Sequence, residues 1–279
     1  MVASTVVRMT SLTVALAQIE ATADPAANAA LVEDGLHHAA DAGAALAVFP
    51  EATMCRFGVP LGPVAEPLDG PWVARIAAAA RETGVHAVAG MFTPGSDGRV
   101  RNTLLSAAPD GTIAHYDKVH LYDAFGFAES RTVEPGDRAV VVHVGEVPVG
   151  LSTCYDLRFP ALYQALADAG AQVIVAPASW GDGPGKLDAF TTLARARALD
   201  STTFIVAVDQ ARPSDAEPGS APRGVGGSLA VAPDGAVLAS AGAAPEQIVV
   251  DLSLDRVDEV RAVLPVLTNR RDFTVSPQG

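Results

Sequence analysis

The order of segments along the chain predicts an α/β layered fold, and three observations carry it. Apolar strands alternate with capped helices through the first third of the sequence, a β-α-β-α-β order. Two Ala-Pro-Asp-Gly turns, at 108–111 and 232–235, stand at comparable places in the two halves and suggest two sheets with approximate internal symmetry. A cysteine, Cys154, ends a β-branched run and is followed at once by polar residues and Pro160, the mark of a strand-to-helix turn.

Each element has its own justification. Residues 12–18 read as the first strand, and Asp24-Pro25 supplies an N-cap and a proline for the helix after it. Val32, Leu36, Ala39 and Ala40 keep helical spacing up to Gly43, a C-cap glycine. Residues 46–49 form a buried strand; Gly70-Pro71 opens a helix through Arg81 that Gly84 closes, and 85–92 is the next strand. Asp97-Gly98 and Pro109-Asp110-Gly111 then bracket the hairpin strands 101–107 and 112–116. The segment 118–137 is irregular and long enough to be functional. Strands follow at 139–143, 147–153, 172–176 and 203–208, with helices at 161–168 and 186–200. Residues 213–226 read as a polar surface loop, and a second hairpin surrounds Pro233-Asp234-Gly235. No repeat of solenoid length is present. The organisation is a disordered leader at 1–10 (Met9 being an alternative start to Met1), one domain at 11–263, and a C-terminal tail at 264–279. That tail is apolar and then carries Arg270-Arg271, as expected of a subunit contact.

Composition excludes several classes. The chain has 279 residues, 49% of them hydrophobic, enough for a large core, and alanine and valine dominate where aromatics reach only 5%. A net charge of −13 argues against nucleic acid or an anionic membrane as partner, while leaving room for an anionic substrate at local cations. Two cysteines are no disulfide framework, so the expected compartment is a reducing cytoplasm. Ala15-Leu16-Ala17 mimics a signal-peptidase site, but Arg8, Thr10 and Ser11 interrupt the preceding run, and no run is long enough for a membrane span.

The candidate chemistry centres on Cys154. On a strand-to-helix turn a thiol meets unpaired N–H groups, which favour thiolate and offer donors to an oxyanion; the competing reading is a buried core cysteine. Glu51 follows a wholly apolar strand and is either a solvated loop residue or, beside a desolvated pocket, a general base. Lys118 is either paired on the surface with Asp117 or a fixed positive charge for a thiolate and oxyanion. Glu129, in the long loop, is either solvated or the carboxylate that holds Lys118 in place. Arg158 either pairs with Asp156 or another acid, or clamps a substrate carboxylate at the pocket mouth. A phosphatase loop fails because Pro160 stands where its arginine belongs, and a papain-like pair would need His120 or His143 as base without the local signature. His37-His38 make poor metal ligands, Gly224-Val225-Gly226-Gly227 is no dinucleotide fingerprint, and Cys55 has no turn context.

Phe49-Pro50-Glu51, Tyr116-Asp117-Lys118-Val119-His120-Leu121 and Cys154-Tyr155-Asp156-Leu157-Arg158-Phe159-Pro160 stand in an order that resembles the nitrilase, or carbon–nitrogen hydrolase, superfamily. Arg101-Asn102-Thr103, Glu129-Ser130, Pro135-Gly136-Asp137, Ala176-Pro177-Ala178 with Trp180, and Arg195-Ala196-Arg197-Ala198 extend the likeness. The resemblance implies an α-β-β-α sandwich that forms four-layer assemblies as dimers or larger oligomers, with no metal or organic cofactor. It implies Glu51 as general base, Lys118 as oxyanion stabiliser, Cys154 as nucleophile, Glu129 as supporting carboxylate and the Tyr155 N–H as oxyanion donor. The cysteine motif resembles the Nit-type amidases (ω-amidase and deaminated-glutathione amidase) more than true nitrilases. Ala189-Phe190, Ala198-Leu199-Asp200, Gln210 and a short 122–128 loop depart from the pattern and bear on substrate choice. The expected reaction is hydrolysis of a small, carboxylate-bearing primary amide through a thioester, with ammonia released; a nitrilase acting on C≡N and a non-catalytic binding module are the alternatives.

Overall fold

A computed structural model describes residues 10–213 and 221–276. Strand β1 (Ser11–Gln18) leads through helix α1 (Pro25–Asp41) to β2 (Leu46–Val48), and α2 (Pro71–Thr83) leads to β3 (His86–Pro94). The Asp24 side chain accepts from the Ala26 N–H, and Gly84 closes α2 in the left-handed region, as their sequence positions require. The hairpin β4 (Val100–Ala107) and β5 (Ile113–Asp117) completes this half. The second half runs β6 (Val140–Val144), β7 (Val147–Leu151), α3 (Pro160–Asp168), β8 (Val173–Ala178), α4 (Lys186–Ser201), β9 (Phe204–Asp209), β10 (Leu229–Val231) and β11 (Val237–Ser240). A last strand, β12 (Glu246–Ser253), and α5 (Asp255–Val263) follow.

The strands form two six-stranded mixed sheets, ordered β12-β1-β2-β3-β4-β5 and β11-β10-β9-β8-β7-β6. Each has a parallel trio, an antiparallel hairpin on one side and an antiparallel strand on the other. The internal symmetry expected from the two Ala-Pro-Asp-Gly turns is therefore real. They join β4 to β5 and β10 to β11, and both close with the glycine N–H on the alanine carbonyl, Gly111 to Ala108 and Gly235 to Ala232.

Alternation along the strands decides the layering. Leu12, Val14 and Leu16 of β1, Leu46 and Val48 of β2, and Phe204, Val206 and Val208 of β9 point between the sheets into one core. Their neighbours Ala15, Ala17, Ala47, Ala87 and Ala89 meet α1 and α2, while Ile174, Ala176, Ile205 and Ala207 meet α3 and α4. Large residues thus fill the space between sheets, and mostly small ones let the helices lie close to the outer faces. The result is the expected α-β-β-α sandwich.

Some expectations change. The 118–137 segment is not structureless: it holds a short 3₁₀ turn, Glu129–Arg131, and a bridge from Val133 to Val100. β12 and α5 carried no sequence expectation; β12 is an edge strand zipped along all of β1. Of the leader, Thr10 is described and accepts from the Leu254 N–H; the rest lies outside the described residues, as do 214–220 of the loop at 213–226. That loop is not all surface, because Gly224–Gly226 is buried, with the Val225 N–H on Asp209. No helix among the described residues is long and apolar enough to cross a membrane.

His86, at the start of β3, is buried with Nε2 at 2.7 Å from the Ser106 hydroxyl. Burial pushes its pKa down to about 4. Because the folded value lies below the unfolded one, near 6.5, its contribution is fully present above that value and is lost as pH falls towards 4. Denaturant titrations should show the chain losing about 2–3 kcal/mol more than a His86→Gln variant between pH 7 and 4.5. Parallel losses in both proteins would refute this.

Candidate active site

The sandwich brings the ends of β2, β5, β7 and β8 to one place. After β2 the chain turns sharply, with Ala52 in the left-handed region at φ 57°, and Glu51 is wholly buried. Gly90 of β3 makes this possible. A Cβ there would stand 2.5 Å from the Ala52 nitrogen and 2.8 Å from the Glu51 Cα, so only glycine admits the turn against the strand. From β9's end, Gln210 donates to the Glu51 carbonyl at 3.0 Å and fixes the turn from the other sheet.

Lys118 follows β5 and is buried. Its ammonium donates to Glu51 Oε1 at 2.8 Å and to Glu129 Oε2 at 3.0 Å. Asn102 on β4 joins the same two acids, donating to Glu51 Oε1 at 2.7 Å and Glu129 Oε1 at 3.0 Å. The Tyr122 N–H binds Glu129 at 2.6 Å, and the Ser179 N–H binds Glu51 Oε2 at 3.0 Å. Burial alone would push the Lys118 amine down, but the charges of Glu129 and Glu51 override it and hold its pKa well above the ordinary value. The surface pairing with Asp117 does not occur; Asp117 faces Arg101 and Thr103.

Cys154 opens a 3₁₀ turn, Cys154–Arg158, with φ 48°, a left-handed conformation unusual for a residue with a Cβ. Asp156 holds that turn. Fully buried, it accepts from the Thr153 N–H at 2.8 Å, the Tyr116 hydroxyl at 2.7 Å and the His120 N–H at 3.1 Å, and lies 2.7 Å from His120 Nδ1. One carboxylate thus ties the cysteine turn in one sheet to the lysine strand in the other. This corrects the Asp156–Arg158 pair considered from sequence. The thiol expectation also changes. Burial and the Glu51 charge push the Cys154 pKa well above its usual value, and Lys118 only partly opposes them, so the resting sulfur is a thiol and not a thiolate. Tyr155 is the second residue of the turn, where opening N–H groups have no acceptor within it.

These groups face a cavity of about 510 Å³ whose walls include Glu51, Lys118, Glu129, Cys154, Tyr155, Arg158 and Trp180. Arg158 lies over the Trp180 ring, 5.4 Å from its centroid. Asp209 anchors that corner, accepting from the Trp180 and Val225 N–H groups at 2.7 Å each, while burial raises its pKa to about 7. His120 stacks on Phe159 and engages Asp156, and His143 is exposed on β6, so neither forms a papain-like pair with Cys154. Cys55 is buried outside the cavity walls, with burial raising its pKa. Among the described residues no group of His, Cys, Asp or Glu side chains is arranged to hold a metal. Sequence reasoning gave no role to Asn102 or Ser179, and it connected Gln210 with substrate choice where the structure sets it against the Glu51 backbone. Their residue types carry no signal of a site; Asn102 stood in a quoted motif, and that was the available clue.

A thiol, a carboxylate and a buried ammonium meeting at the strand ends of an α-β-β-α sandwich define a hydrolase of the carbon–nitrogen type. The chain belongs to the carbon–nitrogen hydrolase family, whose model matches residues 13–262. It is 56% identical to "Hydrolase Rv0480c" of Mycobacterium tuberculosis (strain ATCC 25618 / H37Rv), over 93% of this chain and 96% of that one. It is 36% identical to the deaminated glutathione amidase of Escherichia coli O157:H7, over 88% and 91%. Its fold matches, at a TM-score of 0.76 and 27% identity over 91% and 98% of the chains, a Nesterenkonia sp. AN1 amidase mutant that shows acrylamide added at the active-site cysteine.

Proposed function

We propose that this enzyme is a cysteine amidase that hydrolyses a small, carboxylate-bearing primary amide through a thioester. The convergence of Cys154, Glu51 and Lys118 on one buried pocket carries the reading. Glu51 takes the Cys154 proton as the sulfur attacks the amide carbon. The Lys118 ammonium and the Tyr155 N–H hold the oxyanion, each donor of this kind contributing about 3–4 kcal/mol. Collapse breaks the C–N bond, and Glu51 returns the proton to the leaving nitrogen, which departs as ammonia. Water, deprotonated by Glu51, then attacks the thioester; the C–S bond breaks and the thiol regains its proton. A resting thiol suits this sequence, since the Glu51 carboxylate removes its proton only as the sulfur attacks. Glu129 keeps Lys118 protonated and aimed. The free thiols of Cys55 and Cys154 suit a reducing cytoplasm.

Arg158 is the expected carboxylate clamp, a guanidinium at the pocket wall without an acidic partner among the described residues. The tail at 264–279 is expected to lie on a second copy of the chain, since Phe273 and Val275 are over 80% exposed.

Cys154→Ala should abolish ammonia release from small amides, with Lys118→Met nearly as damaging, while Cys55→Ala retains most activity. Mass spectrometry of a trapped acyl-enzyme should place the label on the Cys154 peptide; a label on Cys55 would sink the assignment. Arg158→Lys should raise KM for an anionic amide roughly tenfold more than for a neutral amide of equal length, because a point charge cannot replace two parallel hydrogen bonds. Equal losses would make Arg158 a support of the turn. Truncation before Pro265 should delay elution on a sizing column by converting an oligomer to a less stable monomer, and an unchanged volume would count against a subunit contact.

A further inference from the structure

Beside Arg158 in the cavity wall stands Lys186. Lys186, half-buried, is the first residue of α4 and lines the pocket together with Arg158. Its ammonium sits 3.5 Å from the centroid of the Phe125 ring, much as Arg158 sits over Trp180. Among the described residues neither cation forms an ion pair, in a chain with 32 acidic residues against 19 Lys and Arg. Three influences oppose the charge on Lys186. Burial disfavours it, and Arg158 is close enough to disfavour it further. Lys186 stands at the N-terminus of a helix, where the backbone dipole opposes a positive charge. The charged ends themselves meet ring faces, Arg158 Cζ over Trp180 and Lys186 Nζ over Phe125.

One carboxylate needs one guanidinium, which it meets with two parallel hydrogen bonds. A second, unpaired cation beside the first is matched by a second negative charge. We propose that Arg158 and Lys186 form a two-cation clamp, that Lys186 is a specificity-determining residue, and that the preferred substrate carries two anionic groups remote from its scissile amide. The lining also includes apolar Phe57, Val59, Leu61, Val100 and Val133; its other cations are Lys118, held by Glu51 and Glu129, Arg99, paired with Asp97, and Arg131. This rests on the amidase reading for its chemistry but not for its binding.

The test compares three primary amides of similar length, bearing no, one and two carboxylates. Wild-type enzyme should give the lowest KM for the two-charge amide. Lys186→Met should raise that KM at least tenfold more than the KM of the one-charge amide, with kcat little altered, whereas Arg158→Lys should raise both. Uniform losses, or none, would overturn the clamp. Phe125→Ala should not reproduce the charge-selective loss; if it does, Lys186 only anchors the 122–128 loop and the proposal falls. If wild-type enzyme turns over none of the amides, the amidase reading fails separately. Calorimetry of a two-carboxylate acid against Cys154→Ala then decides the clamp: adding Lys186→Met should weaken binding at least tenfold, and unchanged binding would refute it.

Discussion

The buried ammonium of Lys118 between Glu51 and Glu129 is the interaction on which the site depends. Removing a charge from water is costly, and breaking such a pair by deleting one partner typically costs about 3–5 kcal/mol. The fold meets this by surrounding the ammonium with two carboxylates and by steadying both acids with neutral donors from Asn102, Tyr122 and Ser179. Two acids around one ammonium leave an excess negative charge facing Cys154. Burial, together with the Glu51 charge, keeps the sulfur protonated at rest.

Holding this cluster requires the two sheets to be in register with each other. Asp156 and Gln210 do much of it, each reaching from the second sheet to the first: Asp156 to Tyr116 and His120, Gln210 to the Glu51 carbonyl and the Ala21 N–H. Both are buried and hydrogen-bonded across the sandwich, where an unmet donor or acceptor is expensive. Glycine does similar work by omission. A Cβ on Gly136 would lie 2.2 Å from the Asp117 carbonyl oxygen, and the bare backbone instead donates from the Gly136 N–H to the Lys118 carbonyl at 2.9 Å.

Electrostatics divide the cavity. Its chemical end is net acidic and enclosed, while its mouth carries cations resting on aromatic rings, Arg158 on Trp180 and Lys186 on Phe125. In a protein of net charge −13, that contrast is what the proposed anionic substrate would use for its direction of approach and its orientation.

What the sequence determined by itself was local in origin. Strand alternation, the Asp24 and Gly84 caps and the paired Ala-Pro-Asp-Gly turns are short-range consequences of side-chain shape and backbone freedom, and they were enough for the layered fold and its symmetry. Cys154, Lys118 and Glu51 were legible as candidates because each stands at the end of a strand with a reactive group. β12 escaped notice because an exposed edge strand needs no clear apolar pattern, and its partner β1 lies at the other end of the chain. Tertiary structure alone decided which acid serves which partner. Asp156 looked like a partner for Arg158 two residues away, yet it is buried against Tyr116 and His120; Asn102 looked like an ordinary strand residue, yet it bridges both glutamates. It also reversed the thiol's expected ionisation, because the turn's local field is weaker than burial beside a carboxylate, and burial is a property of the whole fold.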